Sequence, residues 1–223
     1  MTMRTDINLC TSCGKDAAGQ FVCPGCGVVQ SVDREELDFF SLFSLPRQLA
    51  IDLEDLEQRY YALSRQLHPD LFHDRSSAEQ AASLRATALV NRAYRTLRDP
   101  LRRGLYWLTL HGESLGRDNE RVPPDLAALV FEVQEKLEQL RDSRRTDAGA
   151  AEEAEVRAIH AELRTQMRDF EERLLGNFAR TDSVDGNRAA ALAETKAILS
   201  SLHYLRTLLR DVERELEPQW NAS

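Results

Sequence analysis

Tyr60-Ala62-Leu63-Leu67-His68-Pro69-Asp70 marks the decisive stretch, Arg59 to Asp70, reading RYYALSRQLHPD, and it is followed by LFHDRSSAEQ from Leu71 to Gln80. Before it, Asp52 stands as a helix N-cap, and Leu53, Leu56, Tyr60, Leu63 and Leu67 recur at 3,4,3,4 spacing, which aligns five side chains on one stripe. Pro69 disfavours helical backbone at His68, so the spacing predicts a helix that stops there and leaves His68, Pro69 and Asp70 in a loop. Ser76 with Glu79 predicts a capping box for a following helix, with Leu84, Ala88, Tyr94 and Leu97 directed inward and an end near Pro100. A short first helix is expected from Leu37, Phe39, Phe40, Leu42 and Phe43, stopping near Pro46. These elements make an antiparallel helical hairpin with a short leading helix.

Outward from the hairpin, the break at Val122, Pro123, Pro124 and Asp125 precedes three amphipathic segments with coiled-coil-like spacing. They run Leu126, Leu129, Val130, Val133, Leu137, Leu140; then Val156, Ile159, Leu163, Met167, Phe170, Leu174; then Leu192, Thr195, Leu199, Leu202, Leu205, Leu209, Val212, Leu216. Turns at 146–149 and 177–186 would let them pack antiparallel. The fold class expected is all-α, in three zones: residues 1–32, 33–112 and 113–223.

The first zone holds all four cysteines, as Cys10-x2-Cys13 and Cys23-x2-Cys26. Two such pairs can turn four thiolates toward one point, and so short a segment needs a cross-link because it cannot bury a core. Zinc is the expected ion, with iron possible; a redox dithiol pair and free structural thiols are the competing readings. A closed four-sulfur site has no open position, so its metal would be structural.

The chain has 223 residues and a net charge of −8, distributed as 0 over 1–32, −1 over 33–111 and −7 over 112–223. That balance argues against coating nucleic acid, and only Arg4 and Lys15 are cationic in the cysteine zone. No apolar run is long enough to span a membrane, and none of the leading residues forms a signal sequence. Arginine outnumbers lysine 26 to 3, and no transit segment is expected before Cys10. A bacterial cytoplasm is expected over a mitochondrial matrix.

His68-Pro69-Asp70 between two facing helices, with Tyr60, Leu63, Leu67, Asn91, Ala93, Tyr94 and Leu97, resembles a J-domain. Leu37 to Phe43, Leu67 to Phe72 and Asn91 to Arg103 running on to Leu110-His111-Gly112 are similar to the HscB (Jac) family, over residues 37 to about 217. Two C-x2-C pairs ahead of it resemble the extension of some eukaryotic members. The resemblance implies a co-chaperone and not an enzyme: it would stimulate a DnaK/HscA-type ATPase through His68, Pro69 and Asp70. Arg59 and Arg65 on the outer side of the helix before the loop would assist. It also implies an iron–sulfur scaffold partner of the IscU type, held by Ala127, Ala128, Phe131, Glu132, Glu135 and Tyr204. Ala127 and Ala128 stand where larger apolar residues are usual in that family. No nucleic acid or membrane partner is expected, and a homodimer is left open. Other readings are a general J-protein with different clients and a zinc-knuckle nucleic-acid binder with a helical oligomerisation domain.

Overall fold

The computed structural model describes residues 9–10, 12–16, 22–28, 38–115, 122–143, 149–183 and 188–217. Leu37, expected in the first helix, lies outside them. Among the described residues the regular structure is helical, as expected, with seven α-helices, two short 3-10 turns and one isolated antiparallel bridge between Leu9 and Asp16. The chain divides into two compact units, Met1–Arg103 and Gly104–Ser223. The division falls inside a helix, whereas the motifs alone place a boundary at 112.

In the first unit, α1 (Phe39–Leu42) is a single turn held by its cap. Asp38 accepts from the Ser41 amide at 2.9 Å, from the Ser41 hydroxyl at 2.9 Å and from Arg47 Nε at 2.6 Å. Phe40, Leu42 and Phe43 then enter the core. α2 (Leu53–Leu67) starts at Asp52, which accepts from the amides of Glu54 and Asp55. Leu56 and Leu67 are fully buried, while Leu53, at the head of the stripe, is exposed.

α3 (Ser77–Arg98) opens with the expected capping box between Ser76 and Glu79. Its inward face, however, is Ala82, Ser83, Ala86, Val90, Ala93 and Leu97; Leu84 is 58% exposed and Ala88 is exposed too. The reason is complementary bulk. Small residues on α3 let its backbone approach the large side chains of α2, so the apolar Leu84 is left outside and the alanines go in. Tyr60 and Tyr94 stack at 4.0 Å between ring centroids, with Tyr60 Oη donating to Asn91 Oδ1 at 2.9 Å and Tyr94 Oη to Glu57 at 3.0 Å.

α4 (Pro100–Leu110) is an element beyond those expected from the sequence. Asp99 accepts from the Arg102 amide at 3.0 Å and Pro100 occupies the first helical position, where a missing N–H costs nothing. Pro100 therefore ends one helix and begins another. Arg103 is 1% exposed and donates from Nε to the Leu49 carbonyl at 2.9 Å and from Nη1 to the Leu97 carbonyl. It ties the segment after α1 to the C-terminal turn of α3, whose carbonyls attract a cation.

The second unit is a bundle of α5 (Ala127–Ser143), α6 (Gly149–Asp182) and α7 (Arg188–Leu216), entered through a 3-10 turn at Pro124–Leu126. One core joins Leu126, Val133, Leu137, Leu140, Val156, Ile159, Leu163, Leu205, Leu208 and Val212. Of the turn expected at 177–186, residues 177–182 belong to α6 and 184–186 lie outside the described residues, as do 146–148 of the turn expected at 146–149. Asn177 is instead buried, donating to the Ala191 carbonyl at 2.8 Å and to Thr195 Oγ1 at 2.7 Å. Gly104 of α4 lies so close to Leu199 of α7 that an added Cβ would meet that side chain at 2.7 Å.

Asp38 links this architecture to pH. Burial raises its affinity for a proton, but the Ser41 amide and hydroxyl and the Arg47 guanidinium outweigh burial and hold the carboxyl below its ordinary range. A group depressed in the folded state adds stability that is complete above its unfolded value and is lost as pH falls through the folded one. Asp38→Ala should therefore destabilise by about 1–2 kcal/mol at pH 7. Urea denaturation of both proteins should show the gap closing as pH drops below about 4; a gap constant with pH would refute the charge's part in it.

Candidate functional site

The loop at the tip of the hairpin is built from its backbone. His68 is extended (φ −57°, ψ 128°), and residues Pro69–Phe72 then form a 3-10 turn in which the Leu71 amide donates to the His68 carbonyl at 2.9 Å. Phe72 is buried and anchors the turn. The Leu67 carbonyl, at the end of α2, accepts from Ser83 Oγ at 2.7 Å and from Thr87 Oγ1 at 3.1 Å, both on α3. These two bonds fix the loop's base to the opposite helix.

The polar groups of the loop face solvent. His68 and Asp70 are exposed and Pro69 is half-buried. His68 Nδ1 accepts from the Asp70 amide at 3.3 Å and lies 3.4 Å from Asp70 Oδ2, while the Asp70 carbonyl is 2.8 Å from His73 Nδ1. Among the described residues the polar contacts of this imidazole are with Asp70 alone, so the arrangement leaves a ring and a carboxylate exposed side by side.

The two arginines of α2 differ. Arg59 donates to Asp55 at 2.8 Å and to the carbonyls of Phe43 and Ser44 at 3.0 and 3.2 Å, so its guanidinium braces the turn after α1. Its side chain is nonetheless 39% exposed. Arg65 is exposed near the loop and bonds to no neighbour among the described residues.

On the bundle, Ala127, Ala128, Phe131, Glu132 and Glu135 are all exposed on α5, and Phe131 at 73% is the most exposed large apolar side chain described. The helix turns Val133, Leu137 and Leu140 into the core and leaves this aromatic outside it. Tyr204 of α7 is half-buried and packs against the bundle core, so it is partly a core residue.

The four cysteines come together at the N-terminal end. The Sγ atoms of Cys10, Cys13, Cys23 and Cys26 all lie within 4.8 Å of one another, with Cys10 to Cys26 at 3.5 Å and Cys13 to Cys23 at 3.6 Å. The two pairs repeat one backbone pattern. Cys10 N donates to the Lys15 carbonyl and Gly14 N to the Cys10 carbonyl; Cys23 N donates to the Val28 carbonyl and Gly27 N to the Cys23 carbonyl. Gly14 and Gly27 both have φ near +70°, the left-handed turn that brings each pair's sulfurs to one side. In the sequence the repeat is Cys-x2-Cys-Gly, with Gly14 and Gly27 at the positions where tight turns are expected. As thiols the four crowd one another: although the Lys15 amide pulls Cys13 down, desolvation and its bonds with Cys26, Cys23 and Cys10 push it up to about 12. A cation at the centre reverses that balance, since a tetrahedron of thiolates about 2.3 Å from a metal has sulfurs about 3.8 Å apart, close to the spacing present. The four cysteines can hold a metal ion.

No family model matches the chain. It is similar to the iron–sulfur cluster co-chaperone protein HscB of Homo sapiens, at 30% identity over 94% of this chain and 83% of that protein, and of Mus musculus, at 28% with the same coverage. Among solved structures, human co-chaperone protein HscB matches with a TM-score of 0.71 at 29% identity, covering 94% of this chain and 99% of that one. Chaperone HscB from Vibrio cholerae matches with a TM-score of 0.57 at 29% identity, covering 80% and 96%. With the hairpin, its loop and the bundle all inside the matched span, the chain belongs to the HscB family of iron–sulfur cluster co-chaperones.

Proposed function

We propose that this protein stimulates the ATPase of a DnaK/HscA-type chaperone and delivers to it an IscU-like iron–sulfur scaffold. The observation that carries the reading is the loop: an imidazole and a carboxylate are exposed on a turn whose base is bonded across to α3. Such a turn meets a partner already ordered, so little entropy is lost on contact. His68, Pro69 and Asp70 form the chaperone contact, with Arg65 beside them to draw acidic groups. Arg59 supports them from within through its bonds to Phe43 and Ser44.

The scaffold sits on α5 at Phe131, with Ala127, Ala128, Glu132 and Glu135 around it and Tyr204 contributing its exposed edge. An exposed aromatic flanked by small and acidic side chains has the composition of an interface anchor. Zinc is the metal we assign to Cys10, Cys13, Cys23 and Cys26, because four sulfurs in a closed tetrahedron suit a structural site; bound there, it would cross-link two turns that have no core of their own. The bacterial cytoplasm is the compartment we infer, from the arginine bias of the composition.

Asp70→Asn keeps the size of the side chain and removes its charge, and stimulation of a cognate ATPase should fall about tenfold or more with helical content intact; undiminished stimulation would remove the loop from the mechanism. Phe131→Ala should weaken scaffold binding about tenfold without lowering the unfolding midpoint, since the ring is outside the core. Equal affinity in a calorimetric titration would show that the scaffold sits elsewhere. Elemental analysis of purified protein should find about one zinc per chain, lost on Cys13→Ser. Freely titratable thiols with no bound metal would exclude the site.

A further inference from the structure

The solvent face of α3 is basic, which is unexpected in a chain of net charge −8. Arg85, Ala88, Arg92 and Arg95 recur at 3,4,3 spacing and all four are exposed. Among the described residues none of these arginines has a carboxylate partner, whereas Arg141, Arg157 and Arg180 each pair with a glutamate at 2.5 to 3.0 Å. Glu79, the acid of this helix, is committed to its cap. Arg92 lies 5.5 Å over the Phe39 ring, which holds its guanidinium in place.

The outer face of α5 has the same spacing with opposite charge. Ala128, Phe131, Glu135 and Glu138 recur at 3,4,3 and all are exposed. Among the described residues Glu138 makes no ion pair at contact distance, with only the charge of Arg141 acting on it, and Glu135 accepts from Gln139 at 3.3 Å beside the charge of Lys136. Set parallel, as helices pair in a coiled coil, the two faces bring Ala88 opposite Phe131, Arg92 opposite Glu135 and Arg95 opposite Glu138. The aromatic ring meets the small residue that leaves room for it, and both ion pairs form. Each stripe covers about 15 Å of helix.

We propose that α3 of one copy of this protein docks against α5 of a second copy, through Arg92, Arg95 and Ala88 on one and Glu135, Glu138 and Phe131 on the other. The contact is polar and small, so it is transient and salt-sensitive. Its spacing and charge stand independently of the proposed function. One consequence rests on that reading: a second copy and the scaffold compete for Phe131.

Sedimentation equilibrium of the full chain at 50 mM and 500 mM salt tests it. Self-association should appear at low salt and weaken about tenfold at high salt. Arg92→Glu with Arg95→Glu should weaken it about tenfold or more, and so should Glu135→Arg with Glu138→Arg. The chain carrying all four changes should associate as the original does. Phe131→Ala should also weaken association. A monomer at hundreds of micromolar in low salt, salt-indifferent association, or a fourfold variant no better than its parents would overturn the proposal. If Phe131→Ala weakens association but not scaffold binding, the docking stands and the scaffold assignment falls; the opposite result sinks the docking alone.

Discussion

The first unit depends on what happens to one carbonyl. A helix leaves its last carbonyls without intrahelical donors, and here the chain beyond Leu67 turns into a His-Pro step whose proline has no N–H to offer. Ser83 and Thr87 supply the missing donors from α3. Both are polar residues on a face otherwise made of alanine, valine and leucine, and Ser83 is fully buried. Replacing either would leave the carbonyl short of a partner and free the loop's base from the helix that orients it. The tyrosine stack and the bond from Tyr60 to Asn91 hold the same helix pair farther along. The imidazole and carboxylate at the tip are therefore presented by a frame whose polar groups are satisfied internally.

Much of this was legible because caps and prolines act locally. Asp52, the Ser76–Glu79 box and Pro69 each set a boundary through bonds to nearby backbone, and such bonds depend little on the rest of the chain. The readings that failed concern relations between helices. Leu84 looked like a core residue by hydrophobicity, but the buried face of α3 is chosen by what fits against the bulky stripe of α2, which period alone does not reveal. Arg59 is partly exposed, as its place on α2 suggests, but it also donates to carbonyls sixteen and fifteen residues earlier, which no local pattern announces. Pro100 marks the end of α3, as expected, but with Asp99 as its cap the same proline also starts α4, a second use that a stop signal does not reveal.

The cysteines show the opposite balance. Ligand spacing is a local signal and identified the four sulfurs without any tertiary information. What spacing could not convey is that the two pairs are built alike, each closed by a glycine in the left-handed region and by the same two backbone bonds. The repeat matters because it presents four sulfurs from two equivalent turns, and the buried side chains among the described residues there are those of the cysteines. In this segment the ligand set stands where the core stands elsewhere.

In the bundle, long apolar stripes raise a problem that hydrophobicity cannot solve by itself. α6 and α7 carry 34 and 29 residues, and leucines repeated at helical spacing would pack nearly as well after a slip of one heptad. Asn177 and Thr195 break that degeneracy. Thr195 Oγ1 accepts from Asn177 Nδ2 and lies 2.8 Å from Thr181 Oγ1, while Asn177 also reaches the Ala191 carbonyl, and all three side chains are buried. A slip would bury the same groups against leucine without partners, at a cost of about 1–3 kcal/mol for each group left unsatisfied. Among the described residues Asn177 Oδ1 has no hydrogen-bond partner. The effect of the network is on register, which fixes how α7 runs along α6, while the outward position of Phe131 follows from the spacing of Val133, Leu137 and Leu140 on α5 itself.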